Sequence, residues 1–323
     1  MNTTLEAPGL DEIRRSHERI RNTILRTPLI PLECDAGEPE IFLKLENLQP
    51  IGSFKLRGAG NAMQSADPDL LRKGVYTASA GNMAQGVAWN ARNLGISCRV
   101  VVPDTAPKTK LDAIERLGAD VIPVSYDEWW NVMTTHSFRD FDSYFVHPVC
   151  NPQVVAGNAT VGLEIAEDLP DVAAIIVPYG GGGLSCGIAA AFRGMGKAIP
   201  VYAAEVETAA PFAAALTAGE PRRINRTPTF VDGIGAQSVL PEMWPMAQSL
   251  LAGSIVVSIR QIEKAIHRLA ERQHVISEGA GGAALAAGLS GAAGWKNVVC
   301  VVSGGNIDFD VLAGIVELRT GEE

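Results

Sequence analysis

Cysteine is scarce and unpatterned. Cys34, Cys98, Cys150, Cys186 and Cys300 form an odd set of five with no C-x-x-C spacing. That pattern argues against a disulfide framework and against a zinc site. Cys98 and Cys300 sit inside apolar, strand-like runs and are expected to be buried core. An excess of positive charge is also missing. Lys and Arg number 27 against 36 Asp and Glu, a formal net charge of −9. A nucleic-acid partner rewards a basic face, so none is expected. No apolar run is long enough to span a membrane, and no membrane partner is expected. Residues 1–10 are polar and lack the apolar stretch of a secretory signal. A reducing cytoplasm is the expected environment. No repeat and no low-complexity segment is present.

What the chain does have is apolar content and glycine. Of its 323 residues, 47% are hydrophobic and 33 are glycine. The length is generous for one core and comfortable for two lobes. The glycines cluster in short runs, which suits backbone that approaches a ligand closely. Strands are expected at Ile41–Glu46, Gly74–Ala78, Cys98–Val102, Val172–Pro178, Val201–Glu205 and Asn297–Val302. They are rich in Val and Ile with little polar alternation, as parallel strands covered on both faces are. Helices are expected between them. One is Lys108–Leu117, stopped by Gly118; another is Ile259–Arg272, apolar at Ile262, Ala265, Ile266 and Leu269. The alternation predicts an α/β architecture with open, twisted, mostly parallel sheets.

Four segments can carry chemistry. In KLENLQPIGSFKLRGA (Lys44–Ala59), Lys55 follows Gly52, Ser53 and Phe54 at an apparent helix start. A lysine there, beside an apolar ring, can be desolvated and made nucleophilic. Taken alone, a surface helix lysine explains it better. In TASAGNMAQGVA (Thr77–Ala88), a strand ends in small residues, turns at Gly81 and enters a helix. Such a turn offers backbone N–H groups to an anion, and Asn82 adds an amide; an ordinary strand-to-helix turn accounts for it equally. In VPYGGGGLSCG (Val177–Gly187), four consecutive glycines stand between a buried strand and a helix. Glycine is conformationally costly, and a phosphate cradle explains it. The run fits neither a Walker loop nor the dinucleotide fingerprint. In VCVVSGGNID (Val299–Asp308), a buried strand ends at Ser303, Gly304 and Gly305. Ligands of open α/β sheets bind beyond the carboxyl ends of strands. The last three segments each lie at such an end, and their convergence predicts the site.

At these residues the chain resembles the fold-type II pyridoxal-phosphate (PLP) enzymes, in the serine/threonine dehydratase and serine racemase branch. The likeness runs from RTPLIPL (Arg26–Leu32) through the GSFK, SAGN, GGGGL and SGGN segments in the family's order. It implies a two-lobed fold of the tryptophan synthase β kind. Residues 1–70 and 146–323 would form a large PLP-binding domain, and 71–145 a small mobile one. It implies that Lys55 holds PLP as a Schiff base with Phe54 beside the ring. Asn82 would meet the phenolic oxygen. Gly180, Gly181, Gly182, Gly183 and Leu184 would hold the phosphate. Ser303 would face the pyridine nitrogen. A hydroxyl there leaves the ring a weaker electron sink than an aspartate would, which favours prompt elimination. Ser79, Ala80, Gly81 and Met83 would form the substrate loop. The resemblance also implies a homodimer and an amino-acid substrate. No feedback domain is expected after SGGN.

The chain departs from the family pattern in several places. Met83 replaces a histidine, and HPVC (His147–Cys150) and AGNAT (Ala156–Thr160) replace H-P-F-D and A-G-Q-G-T. Relatives with a divalent-metal site supply a Glu, a carbonyl four residues on and an Asp two beyond. Glu205 and Ala209 fit the first two places, but Pro211 takes the third. The implied reaction is loss of water from a 3-hydroxy amino acid, giving a 2-oxo acid and ammonia. The substrate could be threonine, serine, a bulkier hydroxy amino acid or an intermediate of hydroxyectoine breakdown. A cysteine-synthase-like β-replacement enzyme and a silent binding protein are the alternatives.

Overall fold

The computed structural model describes residues 4–317 of the chain. Ten strands run in chain order as β1 (Leu29–Pro31), β2 (Ile41–Leu45), β3 (Val75–Ala78), β4 (Cys98–Pro103), β5 (Asp120–Val124), β6 (Tyr144–Phe145), β7 (Ala174–Pro178), β8 (Val201–Val206), β9 (Gly253–Val257) and β10 (Val298–Val302). They build two sheets. The larger has the order β1-β2-β10-β7-β8-β9 and the smaller β5-β4-β3-β6. Every pairing is parallel except β1 with β2. The small sheet and its helices interrupt the large one in sequence, between β2 and β7.

The central strands β3, β7 and β10 are buried at every residue. Their near-continuous apolar runs follow from having helices on both faces. Successive side chains alternate between two cores, because a strand has a period of two. In β10, Val298, Cys300 and Val302 join Leu43, Ile176, Ile266 and Leu285 on one face. Val299 and Val301 join Val177, Ile188 and Phe192 on the other. The small sheet divides likewise, with Val100 and Val102 on one side and Tyr76 and Val101 on the other. Cys98 and Cys300 are buried, as their strand context requires.

Several boundaries differ from the sequence pattern. Glu46 leaves the strand and opens a 3-10 turn (Glu46–Leu48). Val172 precedes β7 and closes a turn onto the Leu169 carbonyl. The helix from Lys108 ends at Glu115, and Gly118 turns the chain with φ +88°. The helix Ile259–Gln273 carries a capping box between Ser258 and Gln261 and buries Ile262, Ala265, Ile266 and Leu269. Strands β5 and β9 close one edge of each sheet and are mostly half-exposed, so they lack the fully apolar signature.

The helix Lys55–Gln64 lies between the two halves. It packs on the helix Pro152–Asp168 from one side and on Asn82–Leu94 from the other. Gly157 allows this closeness: a Cβ there would fall 2.6 Å from the Arg57 carbonyl oxygen. Within the contact, Arg57, Glu46, Glu164 and Lys44 are completely buried together. This anchors the helix that begins at Lys55.

Candidate active site

The turn that presents Lys55 is stitched to the turn after β10. Phe54 N–H donates to the Ser303 carbonyl at 3.0 Å, and Gly305 N–H to the Gly52 carbonyl at 2.9 Å. Ser53 and Gly304 form an antiparallel bridge between these bonds. Buried Ser303 and the Phe54–Lys55 pair are thereby fixed side by side.

Lys55 is the first residue of its helix. Its amine lies 5.1 Å from the Phe54 ring centre and donates to the Pro148 carbonyl at 3.3 Å. Burial pushes its pKa down to about 8, against an opposing pull from the Glu278 carboxyl. A buried amine near neutrality with one weak neutral partner is suited to nucleophilic attack and proton transfer.

Pro148 is held by its neighbour. His147 Nδ1 accepts from the N–H groups of Val149 at 3.0 Å and Cys150 at 2.7 Å. The ring's Nε2 lies 3.1 Å from the Met133 carbonyl, so Nε2 carries the proton. Burial, reinforced by His136, pushes the His147 pKa down to about 3, and the ring is neutral. Val149 then presses on the tetraglycine: a Cβ on Gly181 would fall 2.4 Å from its Cγ2. A Cβ on Gly180 would fall 2.8 Å from the Gly233 carbonyl oxygen. Gly182 has φ +88° and caps the helix Gly183–Gly194. The first N–H groups of a helix have no intrahelical acceptor and attract an anion. Leu184 turns its side chain into the large-sheet core beside Phe54 and Val149, so its backbone is the part available to a ligand.

Asn82 opens the helix after β3. Its Nδ2 lies 2.9 and 3.0 Å from the two oxygens of Glu278, and its Oδ1 accepts from Asn306 Nδ2 at 2.8 Å. Gly81 N–H donates to Ser79 Oγ at 3.2 Å, which shapes the loop containing Ala80. Met83 is different: its side chain is buried in the small-sheet core with Val87 and Val102. The structure thus brings together Lys55, Phe54, Ser303, Asn82 and, through Val149, the glycine run. It does not bring the Met83 side chain to them.

Glu278 belongs to none of the sequence motifs, and it is central here. It is the one charged residue between His274 and Lys296. An acid alone among small and apolar residues is the signal the sequence offers for it. Burial pushes its pKa up to about 7.

The residues weighed for a divalent metal do not fit one. Glu205 accepts from the Phe212 and Ala213 N–H groups, both at 2.8 Å, and from Ser254 Oγ at 2.5 Å. Its carboxylate therefore caps the helix Pro211–Ala218, which begins with the proline that stands in the acid's place. Ala209 forms a bridge with Val206. Among the described residues no cluster of three His, Cys, Asp or Glu side chains could hold a metal.

The residues do fit PLP. A glycine cradle at a helix N-terminus, where added Cβ atoms would clash, suits a phosphate. A half-buried lysine with a depressed pKa, beside the turn that ends β10, suits the aldehyde. Fold and site together define an α/β enzyme whose site fits a phosphate-bearing aldehyde cofactor. The comparisons agree: residues 20–304 match the family model described as pyridoxal-phosphate dependent enzyme. The chain belongs to this family, and PLP is its cofactor. It is 37% identical over 314 residues to the L-threonine ammonia-lyase of Thermotoga maritima, covering 95% of this chain and 78% of that protein. It is 36% identical over 324 residues to the L-threonine dehydratase catabolic TdcB of Staphylococcus aureus, covering 97% and 93%. Maize serine racemase superposes with a TM-score of 0.88 at 33% identity, covering 96% of this chain and 97% of that one. The processed form of threonine deaminase isoform 2 from Solanum lycopersicum gives 0.85 at 30%, covering 98% and 96%. These neighbours are fold-type II PLP enzymes, and this chain has their fold.

Proposed function

We propose that this protein is an ammonia-lyase that removes water from a 3-hydroxy amino acid of the threonine or serine kind, releasing a 2-oxo acid and ammonia. The observation that carries the reading is the buried Lys55 amine, with its pKa near 8, stitched beside Ser303 at the strand ends. The likeness to proteins named L-threonine ammonia-lyase and L-threonine dehydratase gives the substrate class.

Bound PLP supplies an electron sink at the substrate Cα. The chain's own residues do the rest. Gly180–Gly183 and the backbone of Leu184 would hold the phosphate. Lys55 is the residue that would hold the cofactor, and its amine, once free, would take the Cα proton as general base. Ser303 would face the pyridine nitrogen, where a hydroxyl, unlike a carboxylate, would not keep it protonated and so would favour elimination of the β-hydroxyl. The Ser79–Gly81 loop holds the substrate carboxylate. The released enamine hydrolyses to the 2-oxo acid and ammonia in water. In this reading residues 1–70 and 146–323 form the cofactor domain, and 71–145 the smaller one that closes over substrate. A cytoplasmic homodimer is part of the same reading. Among the described residues no helix is long and apolar enough to cross a membrane.

The test combines two measurements on the PLP-loaded protein. Borohydride reduction and peptide mapping are expected to tag Lys55. A panel of 3-hydroxy amino acids is expected to yield 2-oxo acid with at least one member, and Lys55→Ala to reduce turnover by about 10³-fold or more. A tag on another lysine, or no 2-oxo acid from any member, overturns the reading.

A further inference from the structure

Glu278 heads a helix of small residues, Gly279–Leu289, and its carboxyl faces away from that helix's apolar core. Its own N–H donates to the Gly304 carbonyl at 3.0 Å. The carboxyl sits so close over Gly304 that a Cβ there would fall 2.6 Å from Oε1. It accepts from the Asn82 amide nitrogen and from the Asn306 backbone N–H. Asn306 Nδ2 in turn donates to Asn82 Oδ1 at 2.8 Å and to the Ile51 carbonyl at 2.9 Å.

These contacts leave the Asn82 amide one orientation. Its oxygen must face the Asn306 donor and its nitrogen the Glu278 acceptor. A flipped amide would set oxygen against carboxyl and donor against donor, replacing the hydrogen bonds of the half-buried Asn82 and Glu278 side chains with repulsive contacts. An amide nitrogen carries two hydrogens, and Glu278 occupies one side of it. We propose that Glu278 is a positioning residue for the reaction: it locks the Asn82 amide so that the second N–H is given to the phenolic oxygen of PLP. The role rests on the proposed function, which pairs Asn82 with that oxygen.

The charge environment supports it. Burial, with a smaller push from nearby Asp232, raises the Glu278 pKa to about 7. Asn82, Lys110 and the Asn306 N–H act in the opposite direction, and the Lys55 amine feels the same carboxyl. A carboxyl that is partly neutral at pH 7 still accepts from Asn82. It does so without placing a full negative charge beside the phenolic oxygen.

The test uses holoenzyme variants and reads the visible absorption band of the bound cofactor, the split between kcat and KM, and the melting temperature. Glu278→Ala and Asn82→Ala are each expected to shift the band in the same direction and to lower kcat about 10²-fold, with a smaller change in KM. The double variant is expected to be no worse than either single one, because the two residues act as a unit. Glu278→Gln, whose amide oxygen still accepts from Asn82, is expected to recover much of the band position and rate. If Glu278→Ala fails to fold, Glu278→Leu fills a similar volume without an acceptor and carries the same expectation. A wild-type band in folded Glu278→Ala or Glu278→Leu overturns the role, as do effects that multiply in the double variant. Wild-type holoenzyme with no visible band and no tag at Lys55 overturns the proposed function, and this role with it.

Discussion

Arg57 grips Glu164 with both ends of its guanidinium: Nη1 meets Oε1 at 2.7 Å and Nη2 meets Oε2 at 2.9 Å, with both side chains fully buried. The same guanidinium reaches Glu46 through Nε at 2.8 Å and Nη2 at 2.7 Å. Lys44 completes the group, giving 2.6 Å bonds to Glu164 and to the Thr27 carbonyl. Two buried cations thus face two buried carboxylates. Charge of both signs makes the burial tolerable, since either sign alone would carry a severe desolvation penalty. Arg57 lies two residues past Lys55, so the network fixes the helix that presents the Lys55 amine.

Arg57→Leu is therefore expected to destabilise the protein by about 3–5 kcal/mol, because it leaves carboxylates buried with too few partners. Urea unfolding of holoenzyme checks this. A loss below about 1 kcal/mol, the range of an exposed ion pair, would show that the network is dispensable.

Gly181→Ala is expected to weaken PLP binding at least about tenfold, since the added methyl meets Val149 at 2.4 Å and the loop must shift. Val149→Ala removes the obstacle, so the double variant is expected to regain most of the lost affinity. Titration of each apoprotein with PLP, followed by absorbance, reads the result. Failure of Val149→Ala to rescue would place the constraint elsewhere.

His147 makes stability depend on pH in a defined window. Its folded-state pKa of about 3 lies below the ordinary 6.5, so its contribution is fully present above 6.5. It is lost as pH falls from 6.5 towards 3, because the folded state resists the proton that the unfolded state takes up. His147→Gln removes this component. Below pH 6.5, wild type is expected to lose stability faster than the variant, by up to about 1.4 kcal/mol per pH unit. Urea midpoints at pH 7, 6, 5 and 4 measure the difference; parallel slopes would contradict it.

Ala80 bears on stereochemistry. Racemisation needs proton-transfer groups on both faces of the planar carbanion, and in the proposed function Lys55 would supply one. A serine immediately before the Gly81-Asn82 pair could supply the other. Here Ala80 stands there, half-buried against the small-sheet core. The enzyme is expected to form D-isomer far more slowly than 2-oxo acid, since a positioned group contributes about 10²–10⁴-fold. Chiral chromatography during turnover of an L-substrate tests this. Comparable rates would refute it, and a gain of racemisation in Ala80→Ser would place this position opposite Lys55.

Much of the fold was legible in the chain because its signals are local. Buried parallel strands need unbroken apolar runs, and β3, β4, β7, β8 and β10 lie within two residues of where those runs stand. Edge strands β5 and β9 were not legible, since a half-exposed strand needs no such run. The GGGGL run announced itself, since four glycines carry a conformational cost that a plain connection does not require; the SAGN turn on its own read equally well as an ordinary strand-to-helix turn, and only its convergence with the others marked it.

The chain alone determined the chemistry on offer: a lysine after a turn, a glycine cradle, a serine ending a buried strand. Only the tertiary structure decided which groups face one another. Asn82 and Glu278 are 196 residues apart and meet through the order of the sheets and the loops beyond them. The Pro148 carbonyl reaches Lys55 across 93 residues because His147 bends its loop. Met83 entered a core and Glu205 capped a helix for the same reason. A side chain's type sets what it can do, but its burial and partners come from elements far away in sequence, and these select which of its capacities is used.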